Sequence, residues 1–308
     1  MNDLNTFLAQ HLANPTALQL IKRGQNATIY SVVAEGHTYV VRVGHSTKQS
    51  GSSLERAFAV QQALFKNGYD HCAEVIMYDP VTDTSIERFA GGEQKPLPSY
   101  ATAELDKFVT AVVNLHQFDT TLAQDVQIVN PLDDIKLYGI DRLALVRESL
   151  PQEQALVSFL ETELNKNIDA LKSHTSNVVK PFLIHGDLGV NCLLQSDKVV
   201  LIDWEHARLS FRNELEYIKI HSHPTPEQFV YIVQKYSEMM GISISDLEKE
   251  IQLHEQVTRL NDVIWAAMRW GQTATTQEPN GTLSHKGNTF ADLTLERKDI
   301  FTSFIKGR

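Results

Sequence analysis

Two aspartates set the chemical question. Asp187 lies in the stretch HGDLGVNCLL and Asp203 in LIDWEHA. Between them, Cys192 to Gln195, the turn SDK and Val199 to Ile202 read as strand, turn and strand, so both carboxylates come to one end of a hairpin. Phosphoryl transfer uses such a pair. One acid orients or accepts the proton of an attacking hydroxyl, and the other holds the divalent cation that bridges nucleotide phosphates. Either aspartate alone is also an ordinary turn residue. The pair together, with His185 just ahead of it and a sheet upstream, favours the catalytic reading.

The elements that must position this hairpin change character along the chain. From Leu18 to about Phe89, short β-branched runs (TIYSVVAEG, HTYVVRVG, TSIERFAGG) alternate in hydropathy and are broken by one helical stretch, LERAFAVQQALFKNG. Ala34, Glu35 and Gly36 separate the first two runs, as in a hairpin with a glycine turn. After GGEQKPLPSY helical periodicity dominates, over Ala103 to Phe118, Gln152 to Ser173, Pro226 to Met240 and Ser245 to Trp270. Thr225, Pro226 and Gln228 make a capping start. The expected class is α+β, with a small sheet lobe over 1–92 and a mainly helical lobe over 93–308 that carries the catalytic hairpin and the acceptor site.

Composition narrows the partners. The 308 residues, 42% hydrophobic, suffice for a proper core, and the formal charge of −10 without any Lys/Arg run argues against nucleic acid. That charge mildly favours a cationic small molecule. Two cysteines far apart, Cys72 and Cys192, point to a reducing compartment rather than a disulfide framework. The first residues, MNDLNTFLAQHLANP, have no basic start or continuous apolar core, and no run of about 18 apolar residues occurs anywhere. The expectation is a cytoplasmic protein with no membrane partner; the sequence is silent on oligomeric state.

Four islands, RGQNATIYSV, YVVRVG with LERAFAVQQAL, IERFAGG, and HGDLGVNCLL with LIDWEHA, resemble the aminoglycoside phosphotransferase and choline kinase family, in that family's order and over nearly the whole chain. The loop around Asp187 is most similar to that of hygromycin phosphotransferases. The resemblance implies a protein-kinase-like two-lobe fold and transfer of the γ-phosphate of ATP or GTP to a hydroxyl of an amine-bearing metabolite or antibiotic. It implies Asp187 as catalytic base, Asp203 as principal ligand of Mg²⁺, and His185 as a structural brace. Gly24 and Asn26 fall at the phosphate-covering turn, where backbone amides would face nucleotide oxygens. Glu87 and Phe89 would offer a backbone oxygen and amide to adenine.

The chain departs from the family pattern in three places. Arg42 replaces the strand lysine, with Glu55 on the next helix as its expected partner. The family's metal-binding asparagine falls at Cys192, with Asn191 one place early. Strand parity favours Cys192 at the ligand position, and a thiol there is a poor match for hard Mg²⁺ and would shift preference toward Mn²⁺. A bulge that lets Asn191 reach in is the alternative, and a nucleotide-binding pseudokinase is the rival to an enzyme. Third, the segment RLSFRNELEYI lacks the family's turn after Asp203, leaving Glu214 or Glu216 to stand in for an acid, while Glu205 carries low weight. For the acceptor, Glu255, Asp262 and Trp265 cluster on one helix and would hold an ammonium group. The stretch TATTQEPNGTLSHKGNT reads as a loop, either lid or connector.

Overall fold

The computed structural model describes residues 2–24, 26–45, 53–122, 135–174, 181–189, 191–210, 214–275 and 289–307. They fall into two units. The first takes in Met1–Gln127, Leu183–Arg208 and Pro224–Met239, the second Ile128–Phe182, Leu209–His223 and Met240–Arg308.

In the first unit, helix α1 (Asn2–His11) precedes strands β1 (Thr16–Arg23), β2 (Ala27–Ala34) and β3 (His37–Gly44). Helix α2 (Leu54–Lys66) then leads to β4 (Val75–Asp79) and β5 (Thr84–Arg88), and the five strands form one antiparallel sheet in the order β1-β2-β3-β5-β4. The β2–β3 hairpin closes through Glu35 and Gly36, with φ of 49° and 76°. Two consecutive positive φ values make the tight turn whose twist matches the strands, and glycine at the second place removes the steric cost there. Strands β1 and β4 escape the sequence reading. Nearly every residue of β1 is exposed, so no alternation marks it.

The sheet is used on both faces. Tyr39, Val41 and Ile86 join Phe7 and Leu8 of α1, and Leu12 just beyond it, in one apolar cluster. The period of two sends Val40 and Arg42 to the opposite face, together with Ser85 and Glu87 of β5. Helix α2 turns the stripe Leu54, Ala57, Val60, Gln61 and Leu64 inward. Gln61 is the one polar member of that stripe. Ser53 caps the helix by accepting from the Arg56 amide at 3.2 Å.

Helix α3 (Thr102–His116) follows, and later β6 (Phe182–Ile184), β7 (Cys192–Leu194) and β8 (Val199–Leu201). β7 and β8 pair antiparallel with Cys192 opposite Leu201, the expected strand–turn–strand. Reciprocal backbone bonds of 2.8 Å between Glu93 and Leu194 tie this hairpin to the chain beyond β5.

The second unit is helical. A π-helical turn, Lys136–Ile140, runs into α4 (Asp141–Ser149), and α5 (Gln154–His174) and α6 (Leu215–His221) follow. Helix α7 (Pro226–Met240) belongs to the first unit except for its last residue, and α8 (Ile244–Thr275) and α9 (Phe290–Lys306) return to the second. Leu143, Leu150, Leu160, Val263, Ile264 and Phe301 are central to the second unit's core. The α7 cap forms as the sequence implies: the Gln228 amide donates to Thr225 Oγ1 at 3.2 Å and the Thr225 amide to Gln228 Oε1 at 3.0 Å. Residues 276–288, within the expected loop, lie outside the described residues. Both cysteines are free and buried. Among the described residues no helix is long and apolar enough to cross a membrane.

Candidate active site

The loop that leads from β6 to β7 is built around His185, which has no exposed surface. The Asp187 amide donates to its Nδ1 at 3.3 Å, so the ring proton sits on Nε2, which lies 2.9 Å from the Ile202 carbonyl. Its ring packs 4.7 Å from the Trp204 indole. One imidazole thus ties the backbone of Asp187 to the residue just before Asp203. Gly186 permits the bend. Its φ is +79°, and a Cβ there would collide with the Arg208 guanidinium and the His206 carbonyl.

Asn191 completes the loop. Its Nδ2 donates to the Asp187 carbonyl oxygen at 2.8 Å and to Asp187 Oδ2 at 3.0 Å. The Ile202 amide in turn donates to the Asn191 carbonyl at 3.0 Å, which places Asn191 beside the approach to Asp203. Cys192 points elsewhere. It is 5% exposed, with its thiol 3.6 Å from the Leu188 carbonyl. Of the two candidates for the ligand position, Asn191 rather than Cys192 has its side chain beside Asp187. Parity operates inside β7, where Cys192 and Leu194 face the core, and Asn191 precedes the strand on the other side.

Asp203 takes a left-handed conformation, φ 71° and ψ 57°. Such backbone costs about 1–3 kcal/mol for a residue other than glycine and persists where the surroundings enforce it. Here Arg42 does part of that work, with NH1 3.0 Å from Asp203 Oδ1. Its Nε lies 3.2 Å from Glu87 Oε1. Burial opposes the guanidinium charge, but Glu87, Asp203 and Glu205 outweigh it and raise the Arg42 pKa above its ordinary value. Glu55 is not the partner. It sits exposed in the first turn of α2, and the bonds of Arg42 run to Glu87 and Asp203 instead.

The remaining expected nucleotide contacts are partly reassigned. Gly24 belongs to a tight turn in which its own amide donates to the Ala27 carbonyl at 2.9 Å, so that amide is committed. The close approach explains the glycine, since a Cβ would lie 2.9 Å from the same oxygen. The Asn26 side chain donates to Glu205 Oε1 at 2.7 Å, and Arg56 NH2 donates to the Glu205 carbonyl at 2.8 Å. Glu205, given little weight from sequence, latches the turn and α2 to the residues after Asp203. The Phe89 amide donates to the Thr38 carbonyl at 2.9 Å, and the alternation of an antiparallel ladder then makes Val40 and Glu87 a bonded pair as well. The backbone groups of Glu87 and Phe89 are thus engaged in the sheet, which corrects their assignment to adenine.

In the second unit the acceptor candidates already have partners. Glu255, 4% exposed, is 2.8 Å from Lys219 Nζ and 2.8 Å from Arg259 NH2. Burial disfavours its charge, yet the bonds and charges of Lys219 and Arg259 win and hold the carboxyl below its ordinary value. Trp265 has Arg297 over its ring at 5.0 Å and Phe290 edge-on at 5.8 Å. Asp262 lies 3.5 Å from His221 and 4.0 Å from Arg297. Glu255 and Trp265 are thus engaged with residues of neighbouring helices rather than forming an open cage. Glu214 and Glu216 are fully buried, and Thr258 donates to Glu216 at 3.3 Å.

The donor set near Asp203 suits a hard cation. Asp203 offers a carboxylate, and Asn191, whose amide nitrogen is spent on Asp187, offers an amide oxygen. Among the described residues no group of three or more His, Cys, Asp and Glu gathers to hold a metal. Two protein oxygens supplemented by phosphates match the habit of Mg²⁺.

The sequence model of the phosphotransferase enzyme family matches residues 17–212. The chain is also similar to solved structures. A spectinomycin phosphotransferase in complex with ADP and spectinomycin is 14% identical with a TM-score of 0.61, over 96% of this chain and 98% of that one. A choline kinase from Cryptosporidium parvum Iowa II is 12% identical with a TM-score of 0.70, over 99% and 95%. A choline kinase from Streptococcus pneumoniae is 13% identical with a TM-score of 0.67, over 100% and 99%. No curated protein matches in sequence. At such identities the structures speak to fold, and the family match speaks to chemistry. With Asp187, Asn191 and Asp203 all inside the matched span, the chain belongs to the phosphotransferase enzyme family, and its fold is like that of the spectinomycin phosphotransferase and the choline kinases.

Proposed function

We infer that the protein transfers the γ-phosphate of ATP or GTP, with Mg²⁺, to a hydroxyl of a small amine-bearing molecule. The observation that carries this reading is the Asn191 amide bridging Asp187 on the approach to Asp203. In this mechanism Asp187 orients the acceptor hydroxyl and takes its proton, and Asn191 holds the carboxylate in place. Asp203 and the Asn191 oxygen would hold the cation, which when bound neutralises phosphate charge. Arg42 keeps Asp203 in its left-handed conformation, and the backbone amide of Asn26 in the covering turn would meet a phosphate. The pseudokinase rival drew on a thiol at the ligand position and on the altered segment after Asp203; Cys192 facing the core speaks against the first of these. A cationic acceptor accords with the net charge of −10. The nucleotide cofactor and the two free cysteines go with a cytoplasmic site of action.

The test is a screen of aminoglycosides, choline-like amines, amino alcohols and uncharged alcohols with Mg-ATP and Mg-GTP, read as phosphorylated product. A product from a cationic alcohol is expected. Turnover confined to uncharged alcohols would overturn the acceptor class.

A further inference from the structure

Arg42 is gripped from two sides, and one grip comes from an acid on a neighbouring strand. We propose that Glu87 and Gln61 are positioning residues: a chain Gln61–Glu87–Arg42–Asp203, buried at its Gln61–Glu87 end, fixes the carboxylate that takes the cation, doing the work otherwise expected of an acid on α2. This rests on the phosphotransferase reading of the site.

The register makes the chain possible. Arg42 faces Ser85 and Val40 faces Glu87, so Arg42 and Glu87 are diagonal neighbours on the same sheet face, within reach of long side chains. The two oxygens of Glu87 divide their tasks. Oε1 accepts from Arg42 Nε at 3.2 Å and Oε2 from Gln61 Nε2 at 3.0 Å, while NH1 of the same guanidinium reaches Asp203 at 3.0 Å. Gln61 is 5% and Glu87 7% exposed, so the bond between them lies away from bulk water, where loss of one partner is costly.

The chemistry of each position is specific. Arginine can point Nε one way and NH1 another, which a lysine ammonium cannot do with the same rigidity. A neutral amide at Gln61 satisfies Glu87 without competing for Arg42; a second carboxylate there would repel it. The cavity beside the network, lined by Arg42, Gln61, Ser85, Glu87 and Asp203 among others, holds about 10 Å³. That admits one water at most.

Two measurements on the full chain test this: Mg²⁺ titration of ADP binding, and thermal unfolding without nucleotide. Gln61→Leu and Glu87→Gln are each expected to raise the half-saturating Mg²⁺ roughly tenfold, the scale on which outer partners of metal ligands act. The double variant should be no worse than Glu87→Gln, because the two act in series. Glu87→Asp should recover part of the loss, and Glu55→Gln should change nothing. If Glu87→Gln does not fold, Gln61→Leu carries the test, since Gln61 is uncharged. A Gln61→Leu variant with lowered Tm and unchanged Mg²⁺ requirement would make Gln61 a packing residue and end the proposal. A raised requirement in Glu55→Gln would end it equally, by returning the role to α2. Wild-type protein that binds no ADP at any Mg²⁺ concentration would overturn the phosphotransferase reading itself, a failure visible before any variant is made.

Discussion

Asn191 and Cys192 are neighbours in the chain and lie on opposite sides of the loop. Counting residues from Asp187 selects Cys192, and the structure selects Asn191, because its side chain curls back over four residues to Asp187 before the strand begins. Such back-bonding of an amide to nearby backbone is a local option that a strand pattern does not encode. Residue type and spacing pointed to Asp187 and Asp203, and the family resemblance pointed to Arg42 and His185; the partner of Arg42 was not legible, because Glu87 comes from a strand whose pairing is set by the fold. Asn191→Ala is expected to lower turnover and raise the Mg²⁺ requirement, while Cys192→Ala leaves that requirement unchanged and costs about 1 kcal/mol in unfolding. Metal titrations of activity for the two variants check this, and the reverse pattern would restore Cys192 to the ligand position.

Helices and strands carry their own expectations. The cap of α7 was readable from Thr225, Pro226 and Gln228 because it uses contiguous residues, whereas α1 and α9 were not assigned from sequence. Thr225→Ala removes the hydroxyl that accepts the Gln228 amide and should cost about 1 kcal/mol, measured by denaturant unfolding. In the second unit Lys219 of α6 and Arg259 of α8 close on Glu255, whose folded pKa is depressed below the ordinary 4.5. A depressed carboxylate contributes stability that is present above its unfolded pKa and is lost as pH falls through the folded value. Wild-type stability should therefore decline below about pH 4.5 more steeply than that of Glu255→Gln, which should be about 2 kcal/mol less stable near neutrality. Parallel pH dependences in the two proteins would mean that the pair adds nothing.

For the chain as a whole, the change from a strand-rich to a helix-rich stretch was legible from the change of hydrophobic period; the units do not divide there, since Leu183–Arg208 and Pro224–Met239 group with the sheet. The acceptor was less so. Glu255 and Trp265 looked like a cage on one helix, and their partners, Lys219 and Arg297, come from segments far away in sequence. A net charge of −10 predicts that the KM of a cationic acceptor rises with ionic strength more than that of an uncharged one. The most direct test of the central claim follows the labelled γ-phosphate of the nucleotide in wild type and in Asp187→Asn, side by side, with Mg²⁺ and the acceptor panel. The account predicts label on a small hydroxyl compound with wild type, and with Asp187→Asn nucleotide binding nearly intact but transfer slower by about 10²- to 10⁴-fold. Equal transfer by the two proteins, or nucleotide binding by wild type with label reaching no acceptor, would contradict it.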